Sequence, residues 1–204
     1  GIRDLVRSRG LGDVYKRQNE AREMLDINKE GKFVLFFGFI RKYKGLDILL
    51  KAFADERIKK MPVKLIVAGE FYANSKEYLE LIDELGIRDN LILRTDFIPN
   101  SEVHQYFCAA DIVAQPYKSA TQSGVTQIAY HFNKPMIVTD VGGLSEMVPH
   151  GKVGYVVSPQ ADKVADAIND FFSSPEKEKQ MIEAVKEEKK KYSWEIMMNE
   201  ILNI

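Results

Sequence analysis

The sequence of 204 residues has little of several features that define particular classes of protein. Its one cysteine, Cys108, excludes an internal disulfide framework and a cysteine-rich zinc site, and it fits a reducing compartment. The 29 basic and 30 acidic residues nearly cancel, so no field of one sign can drive bulk nucleic-acid binding. No apolar run approaches the roughly 20 residues that span a bilayer, and the start lacks the apolar segment of a secretory signal. We therefore expect a cytoplasmic protein without a nucleic-acid partner.

Several short motifs of known chemistry are also missing. No GxxxxGK[ST] phosphate-binding loop is present, and no GxGxxG follows an apolar run, which makes a flavodoxin-like protein or a dehydrogenase a weaker alternative. The three histidines are scattered and lack HExxH spacing, and no Asp-x-Asp pair occurs. We expect no metal site.

The sequence contains six short apolar runs, each bounded by turn residues. They are rich in β-branched and aromatic residues, which is typical of strands buried on both faces. The runs are 33–38, 63–69, 90–96, 111–116, 135–140 and 154–159. Amphipathic helical stripes fill the gaps, and strands that alternate with helices indicate βαβ units around a parallel sheet. The predicted fold class is α/β, a doubly wound parallel sheet of about six strands with helices on both faces.

The two ends of the chain differ from this pattern. Residues 1–18 hold four arginines, one lysine and three glycines without periodicity, and we expect a non-native or disordered tail, the alternative being a basic segment for a membrane or nucleic acid. Residues 19–174 are predicted to form the α/β domain. Residues 175–204 are predicted to form helices that pack back on it: a charged, solvated helix over 175–192 and a helix over 193–202 anchored by Trp194.

In open parallel sheets ligands bind beyond the carboxyl ends of the strands. The first such loop, Gly38 to Gly45, places three cations at a helix start, which suits a diphosphate; a solvated basic turn is the alternative. The helix start near Ser123 offers small residues and bare backbone amides at Ser123, Gly124 and Val125 as a second anion site, the alternative being an ordinary capped helix. A third loop carries Gly142 and Gly143, which allow close backbone approach or merely helix packing. Phenylalanines and tyrosines are expected in the core.

The stretches FFGFIRKYKGLDILLKAF, VKLIVAGE, DFIPNSEVHQYFCAADIVAQPY and KPMIVTDVGGLSEMVPHGKVGYVVSP follow one another in that order. Together they resemble the carboxyl-terminal half of a family-4 glycosyltransferase, over roughly residues 32–203. The resemblance implies a two-domain B-type fold, of which residues 19–174 are the Rossmann-like nucleotide-sugar-binding domain. It implies transfer of a hexose from a nucleotide-diphosphate sugar with retention of anomeric configuration.

The same resemblance implies roles for individual residues. Lys44, which matches the family's lysine before Gly45, and Arg41 are expected to stabilise the leaving diphosphate as catalytic residues. Arg41 takes the place of an arginine that the family has where this sequence has Phe39. The other residues expected at the donor site are Gly38, Ile98, Thr121, Gln122, Ser123, Gly124, Val125, Gln127, Gly142, Gly143 and Glu146.

The sequence departs from the family at two glutamates eight positions apart, where it has Ala120 and Ile128. The resemblance further implies a nucleotide sugar as donor substrate with no cofactor, and a missing amino-terminal domain that binds the acceptor and associates peripherally with a membrane. The chain alone is expected to be inactive in transfer. The alternatives are a non-catalytic nucleotide-binding module and a nucleotide-sugar epimerase or phosphorylase of the same fold.

Overall fold

A computed structural model describes residues 11–72 and 74–192. Within them, six parallel strands form one sheet in the order β3-β2-β1-β4-β5-β6. Each strand matches one of the six predicted apolar runs, with β1 beginning one residue before its run, so the predicted fold class is confirmed. The strands are β1 (Lys32–Phe37), β2 (Val63–Ala68), β3 (Leu91–Arg94), β4 (Ile112–Gln115), β5 (Met136–Thr139) and β6 (Gly154–Val157).

Helices cover both faces of this sheet. Their bounds are α1 (Leu11–Met24), α2 (Leu46–Phe53), α3 (Glu56–Lys59), α4 (Lys76–Leu85), α5 (Val103–Ala109), α6 (Gly124–His131), α7 (Leu144–Met147), α8 (Ala161–Phe172) and α9 (Pro175–Lys189). The predicted helical stripes are buried in α2 and α8. Helix α5 begins at Val103, and the side chain of its N-cap residue, Glu102, makes no capping hydrogen bond.

Alternating side chains of the central strand serve two separate cores. Val34 and Phe36 of β1 pack in the core formed with α2, α4 and α8. Phe33 and Leu35 pack in the core formed with α1, α5 and α6. Successive residues of a strand point to opposite faces, so an uninterrupted apolar run is what a strand with helices on both sides requires.

The strand order places a crevice between β1 and β4. After β3 the chain returns past β1 to form β4, so the loops that follow β1 and β4 leave the sheet side by side and lead into helices on opposite faces. Such a switch in strand order opens a crevice at the carboxyl ends of the two strands. The loops that the sequence singled out therefore lie where an open α/β sheet binds ligands.

The amino-terminal helix crosses the boundary that was predicted between residues 18 and 19. Helix α1 begins at Leu11, and Gln18 is buried with its side-chain amide donating to Asp111 Oδ1 at 3.0 Å. The expectation of a disordered tail therefore does not hold for residues 11–18, because the helix continues through them and reaches the sheet. Residues 1–10 and the predicted helix with Trp194 lie outside the described residues.

A buried ion pair ties α1 to the amino ends of the central strands. Arg22 Nη2 lies 3.1 Å from both carboxylate oxygens of Asp111, and both side chains are about 5% exposed or less. The same carboxylate accepts from the backbone amide of Phe33 at 2.7 Å. Lys134 lies close by and donates to the carbonyl of Ala110 at 2.7 Å. The cluster satisfies its charges within the protein, at the end of the sheet opposite the crevice.

The carboxyl-terminal described helix rests on the same body. Ser174 caps α9 by accepting from the backbone amide of Lys177. Met181 and Val185 are buried, one in each core, while most of the helix surface is charged and faces solvent. This is the thin apolar stripe on a solvated helix that the sequence predicted.

Candidate donor-binding site

The loop after β1 brings Lys44 back over the end of its own strand. Gly38 has a φ of +95°, and a Cβ at this position would lie 2.9 Å from Lys44 Nζ. Ile40 joins the loop to the next one, since its amide donates to the Glu70 carbonyl at 2.8 Å. The backbone conformation therefore favours glycine at position 38, and the ammonium group of Lys44 lies close to it.

The Lys44 ammonium group has no anionic partner among the residues that the structure describes. Within the described residues Lys44 Nζ makes no hydrogen bond or ion pair; it is half-buried and lies 5.8 Å from the centroid of the Tyr117 ring. Burial, together with the smaller effect of the nearby charge of Arg41, lowers the pKa of Lys44 to about 8. A half-buried cation without a counter-charge at the mouth of a crevice is what an anionic ligand would complete.

The other two cations of this loop differ from Lys44 and from each other. Lys42 is exposed and forms an ion pair with Glu77 at 3.1 Å. Arg41 is also exposed, and its guanidinium stacks 4.0 Å above the Tyr72 ring, without an ion pair in the part of the chain that the structure describes. The three cations that look equivalent in sequence are thus a paired surface lysine, a stacked arginine and an uncompensated lysine.

The loop after β4 packs against the first loop through its backbone. A Cβ at Gly45, which has a φ of +68°, would overlap the carbonyl oxygen of Pro116. The Lys118 amide donates to the Tyr43 carbonyl at 2.7 Å. Tyr117, between these contacts, is 3% exposed. The two loops that border the crevice therefore form one unit.

The start of α6 presents open backbone next to this unit. Ser123 caps the helix by accepting from the Val125 amide at 3.2 Å. Nothing lies within 4 Å of the position that a Cβ of Gly124 would occupy. The Val125 amide is thus already bonded, which differs from the predicted set of three available amides; those of Ser123 and Gly124 make no backbone hydrogen bond within the described residues. Thr121, Gln122 and Gln127 are exposed around them.

The double glycine after β5 holds the loop after β4 in place. Gly142 has a φ of +52°, and a Cβ there would overlap the carbonyl oxygen of Ala120. The Gly143 amide donates to the Thr121 carbonyl at 3.2 Å. Glu146 is exposed one turn further on, in α7. The observed contacts of the two glycines are with the loop after β4. Any influence of these glycines on a bound ligand would therefore be indirect, through the position of that loop.

Replacing Gly142 by alanine is expected to destabilise the domain by about 2–4 kcal/mol, because it adds backbone strain and a steric overlap. Gly86→Ala is the matched control, since Gly86 has a φ of +61° but open space around it. It should cost only about 1 kcal/mol of strain. Urea denaturation of both variants measures the difference, and equal losses of stability would show that the contact with Ala120 contributes nothing.

Several aromatic side chains lie at this edge, contrary to the expectation that they belong to the core. Tyr72 is 67% exposed and Phe97 69% exposed, and Phe39 and Tyr43 are also exposed. All four follow the first three strands, in the segments that lead out of the sheet at its carboxyl edge. Ile98, predicted to flank a base, is half-buried beside Phe97 and packs on the core. Tyr72 lies beside Arg41, and Tyr117 lies beside Lys44. Sequence reasoning missed both tyrosines, because neither lies in a charged or glycine-rich motif.

Nucleotide binding is expected to weaken as the pH rises through about 8. Below its pKa Lys44 is charged and attracts a diphosphate, and above it the ammonium loses its proton and the attraction. Tyr117, whose pKa burial raises to about 12, does not titrate in this range. Calorimetry with a nucleoside diphosphate between pH 7 and 9.5 measures the slope. Lys44→Arg, which keeps its charge, should bind with an affinity nearly independent of pH, and an equal slope in both proteins would contradict this assignment.

Comparison with known proteins places these features in context. The family model described as Glycosyl transferases group 1 matches residues 17–188. The D-inositol 3-phosphate glycosyltransferase of Corynebacterium urealyticum is 28% identical over 190 residues, which are 90% of this chain and 45% of that protein. The lipopolysaccharide 1,2-N-acetylglucosaminetransferase of Salmonella typhimurium is 29% identical over 198 residues, 90% of this chain and 51% of that protein. The chain thus spans about half the length of these relatives.

Solved structures share the fold. Anabaena HepE in complex with UDP superposes with a TM-score of 0.79 at 20% identity, over 94% of this chain and 53% of that one. The carboxyl-terminal domain of the group 1 glycosyl transferase LpcC from Francisella tularensis gives a TM-score of 0.77 at 21% identity, over 87% of this chain and 93% of that domain. Within the described residues of the present chain, no helix combines the length and apolarity needed to cross a membrane.

Proposed function

Because the chain belongs to the group 1 glycosyl transferases, we propose that it binds the diphosphate of a nucleotide-sugar donor and supports transfer of a hexose with retention of anomeric configuration. The observation that carries the proposal is the Lys44 ammonium at the carboxyl ends of β1 and β4, which is half-buried and has no counter-charge among the described residues. Relatives of this chain are named as transferases of sugars, and Anabaena HepE, of similar fold, was solved with UDP.

The proposed mechanism is electrostatic and positional. As the glycosidic bond breaks, its electron pair stays on the diphosphate oxygen, so negative charge grows on the leaving nucleoside diphosphate. Lys44 supplies a positive charge that needs no rearrangement, and the open amides of Ser123 and Gly124 supply donors at the start of α6. Arg41, in the same loop as Lys44, is proposed as a second cation that stabilises the negative charge on the leaving diphosphate. Four exposed residues around the same loops are proposed to contact the donor: Thr121, Gln122, Gln127 and Glu146. Five further residues are proposed to shape the donor site through the backbone segments that they belong to: Gly38, Ile98, Val125, Gly142 and Gly143.

We propose a reaction without a metal ion, in which Lys44 and Arg41 contact the diphosphate. The proposal therefore assigns charge neutralisation to the chain's own cations. Adding EDTA should leave nucleotide affinity unchanged.

The acceptor is proposed to bind on another domain. The chain spans about half of its relatives' length. The residues at the crevice are assigned to the diphosphate in this proposal, so the acceptor needs a different surface. We propose that the isolated 204-residue chain binds nucleoside diphosphate but transfers little or no sugar. The half-buried cysteine fits a cytoplasmic site for this reaction.

Calorimetric titration tests the donor-binding proposal directly. UDP, GDP and ADP are titrated into the chain, followed by the nucleotide sugars that match the tightest binder. Binding by one of the three diphosphates is expected, and the Lys42→Ala variant is the control because Lys42 is exposed and paired with Glu77. Absence of binding by all three would overturn the proposal. Retention is tested separately, by determining the anomeric configuration of the product by NMR with an enzyme that also contains an acceptor-binding domain.

A second candidate function is a non-catalytic nucleotide-binding module of the same family. It is favoured by Ala120 and Ile128, which stand where the resembled family has glutamates, and by the neutral exposed residues around them. Such a module would bind the diphosphate as tightly as the nucleotide sugar. It would remain without transfer activity after an acceptor-binding domain is joined to it, which separates it from the first proposal.

A further inference from the structure

We propose that Tyr117 is a positioning residue that holds Lys44 and the start of α6 in a common arrangement for binding diphosphate. The inference rests on the proposed function, which assigns Lys44 and the α6 amides to the same ligand. Tyr117 would act through these two groups without contacting the donor.

The position of Tyr117 is fixed from three directions. It lies two residues after β4 and is 3% exposed, while the next residue, Lys118, is exposed. Its backbone carbonyl accepts from the buried hydroxyl of Thr139 at the end of β5. The preceding carbonyl, of Pro116, is in contact with Gly45 of the first loop. A side chain held at these points can serve as a rigid support for its neighbours.

The ring of Tyr117 supports Lys44. Lys44 Nζ lies 5.8 Å from the ring centroid, within the distance at which an aromatic face attracts a cation. On the same ring, Tyr43 packs edge to face with centroids 6.1 Å apart and planes at 83°. The described residues give Lys44 no acidic partner, so the aromatic ring and the backbone at Gly38 are the surroundings that define its direction.

The hydroxyl of Tyr117 supports α6. It lies 3.3 Å from Ser123 Oγ, the oxygen that caps the helix by accepting from the Val125 amide. Burial raises the pKa of Tyr117 to about 12, so its hydroxyl is neutral at physiological pH, and either of the two hydroxyls can donate in this hydrogen bond. One side chain thus contacts the cation with its ring and the helix cap with its hydroxyl.

A double-mutant cycle tests the inference. The probe is whichever of UDP, GDP and ADP binds the wild-type chain most tightly. Tyr117→Leu removes ring and hydroxyl and is expected to weaken binding about 10-fold. Tyr117→Phe keeps the ring and loses the bond to Ser123, and a loss of about 3-fold is expected. In a Lys44→Met background the effect of Tyr117→Leu should shrink to about 3-fold or less, because the part of it that passes through Lys44 is already lost.

Tyr130→Phe provides the matched structural control. Tyr130 is as buried as Tyr117, and its hydroxyl donates to the Met147 carbonyl at the other end of α6. It should lower thermal stability about as much as Tyr117→Phe while leaving nucleotide affinity within about 2-fold. If Tyr117→Leu does not fold, Tyr117→Phe and its cycle with Ser123→Ala provide the measurement, with strong coupling expected.

Two different failures are distinguishable. If the wild-type chain binds a nucleoside diphosphate but Tyr117→Leu weakens binding equally with and without Lys44, Tyr117 does not act through Lys44 and this inference is overturned. Unchanged affinity in both Tyr117 variants overturns it as well. If none of the three diphosphates binds the wild-type chain, the proposed function fails and the inference fails with it.

Discussion

Replacing Lys44 by alanine is expected to reduce the rate of sugar transfer at least about 100-fold in an enzyme that contains both domains. One preorganised donor to a developing negative charge contributes about 3–4 kcal/mol to transition-state stabilisation in other enzymes. Lys44 fits that description, because it is half-buried, unpaired among the described residues and held above Gly38. In the 204-residue chain the same change should weaken nucleoside diphosphate binding by at least about 10-fold.

Lys42→Ala provides the comparison for this experiment. Lys42 lies two residues away, is exposed and pairs with Glu77, so its loss should alter rate and affinity by less than about 3-fold. Steady-state kinetics and calorimetry on both variants measure these effects. Near-normal turnover of Lys44→Ala would remove Lys44 from the reaction, and a similar loss in both variants would indicate a general effect of positive charge at this edge.

Replacing Asp111 by alanine is expected to destabilise the domain by about 3–5 kcal/mol. The change leaves the Arg22 guanidinium buried without its carboxylate, and an uncompensated buried charge has a cost of that size. It also removes the acceptor of the Phe33 amide and of the Gln18 side chain. Since a typical domain is stable by only 5–15 kcal/mol, this variant should unfold at a much lower urea concentration.

Two further variants identify the origin of the loss. Asp83→Ala removes an ion pair with Arg88 in which both side chains are more than half exposed, and it should change stability by less than about 1 kcal/mol. Asp111→Leu combined with Arg22→Met removes both charges and should recover much of the stability that Asp111→Ala loses. A double variant as unstable as Asp111→Ala would mean that the hydrogen bonds to Phe33 and Gln18, and not the charge, carry the effect.

The candidate site was predictable from sequence to different degrees. Gly38 and Lys44 could be assigned to one loop because a glycine that ends an apolar run and a lysine at the next helix start are local features. Tyr117 could not be assigned, because its contacts with Lys44 and Ser123 depend on how the loops after β1 and β4 meet. The Val125 amide was expected to be available, yet the Ser123 side chain caps it, and only the rotamer of Ser123 determines that.

The boundaries of the domain also depend on tertiary contacts that the local sequence does not reveal. An arginine-rich and aperiodic start predicted a tail up to residue 18, whereas Gln18 reaches the sheet and donates to Asp111. Gln18 and Asp111 are far apart in sequence. No local sequence pattern therefore predicts that the buried carboxylate of Asp111, directly before β4, accepts hydrogen bonds from the first helix. Tyr72 was expected in the core for a related reason, since its exposure depends on which segments meet at that edge of the sheet.

The sequence by itself determined which segments are strands and helices and that the sheet is parallel and covered on both faces, because strand and helix periodicities and turn residues act over a few neighbouring residues. The tertiary structure alone decided the strand order, and with it which loops border the crevice. It also decided that, within the described part of the chain, Lys42 pairs with a carboxylate while Lys44 does not. Charge pairing and burial depend on which distant segments meet, and that is fixed only when the two cores pack against the sheet.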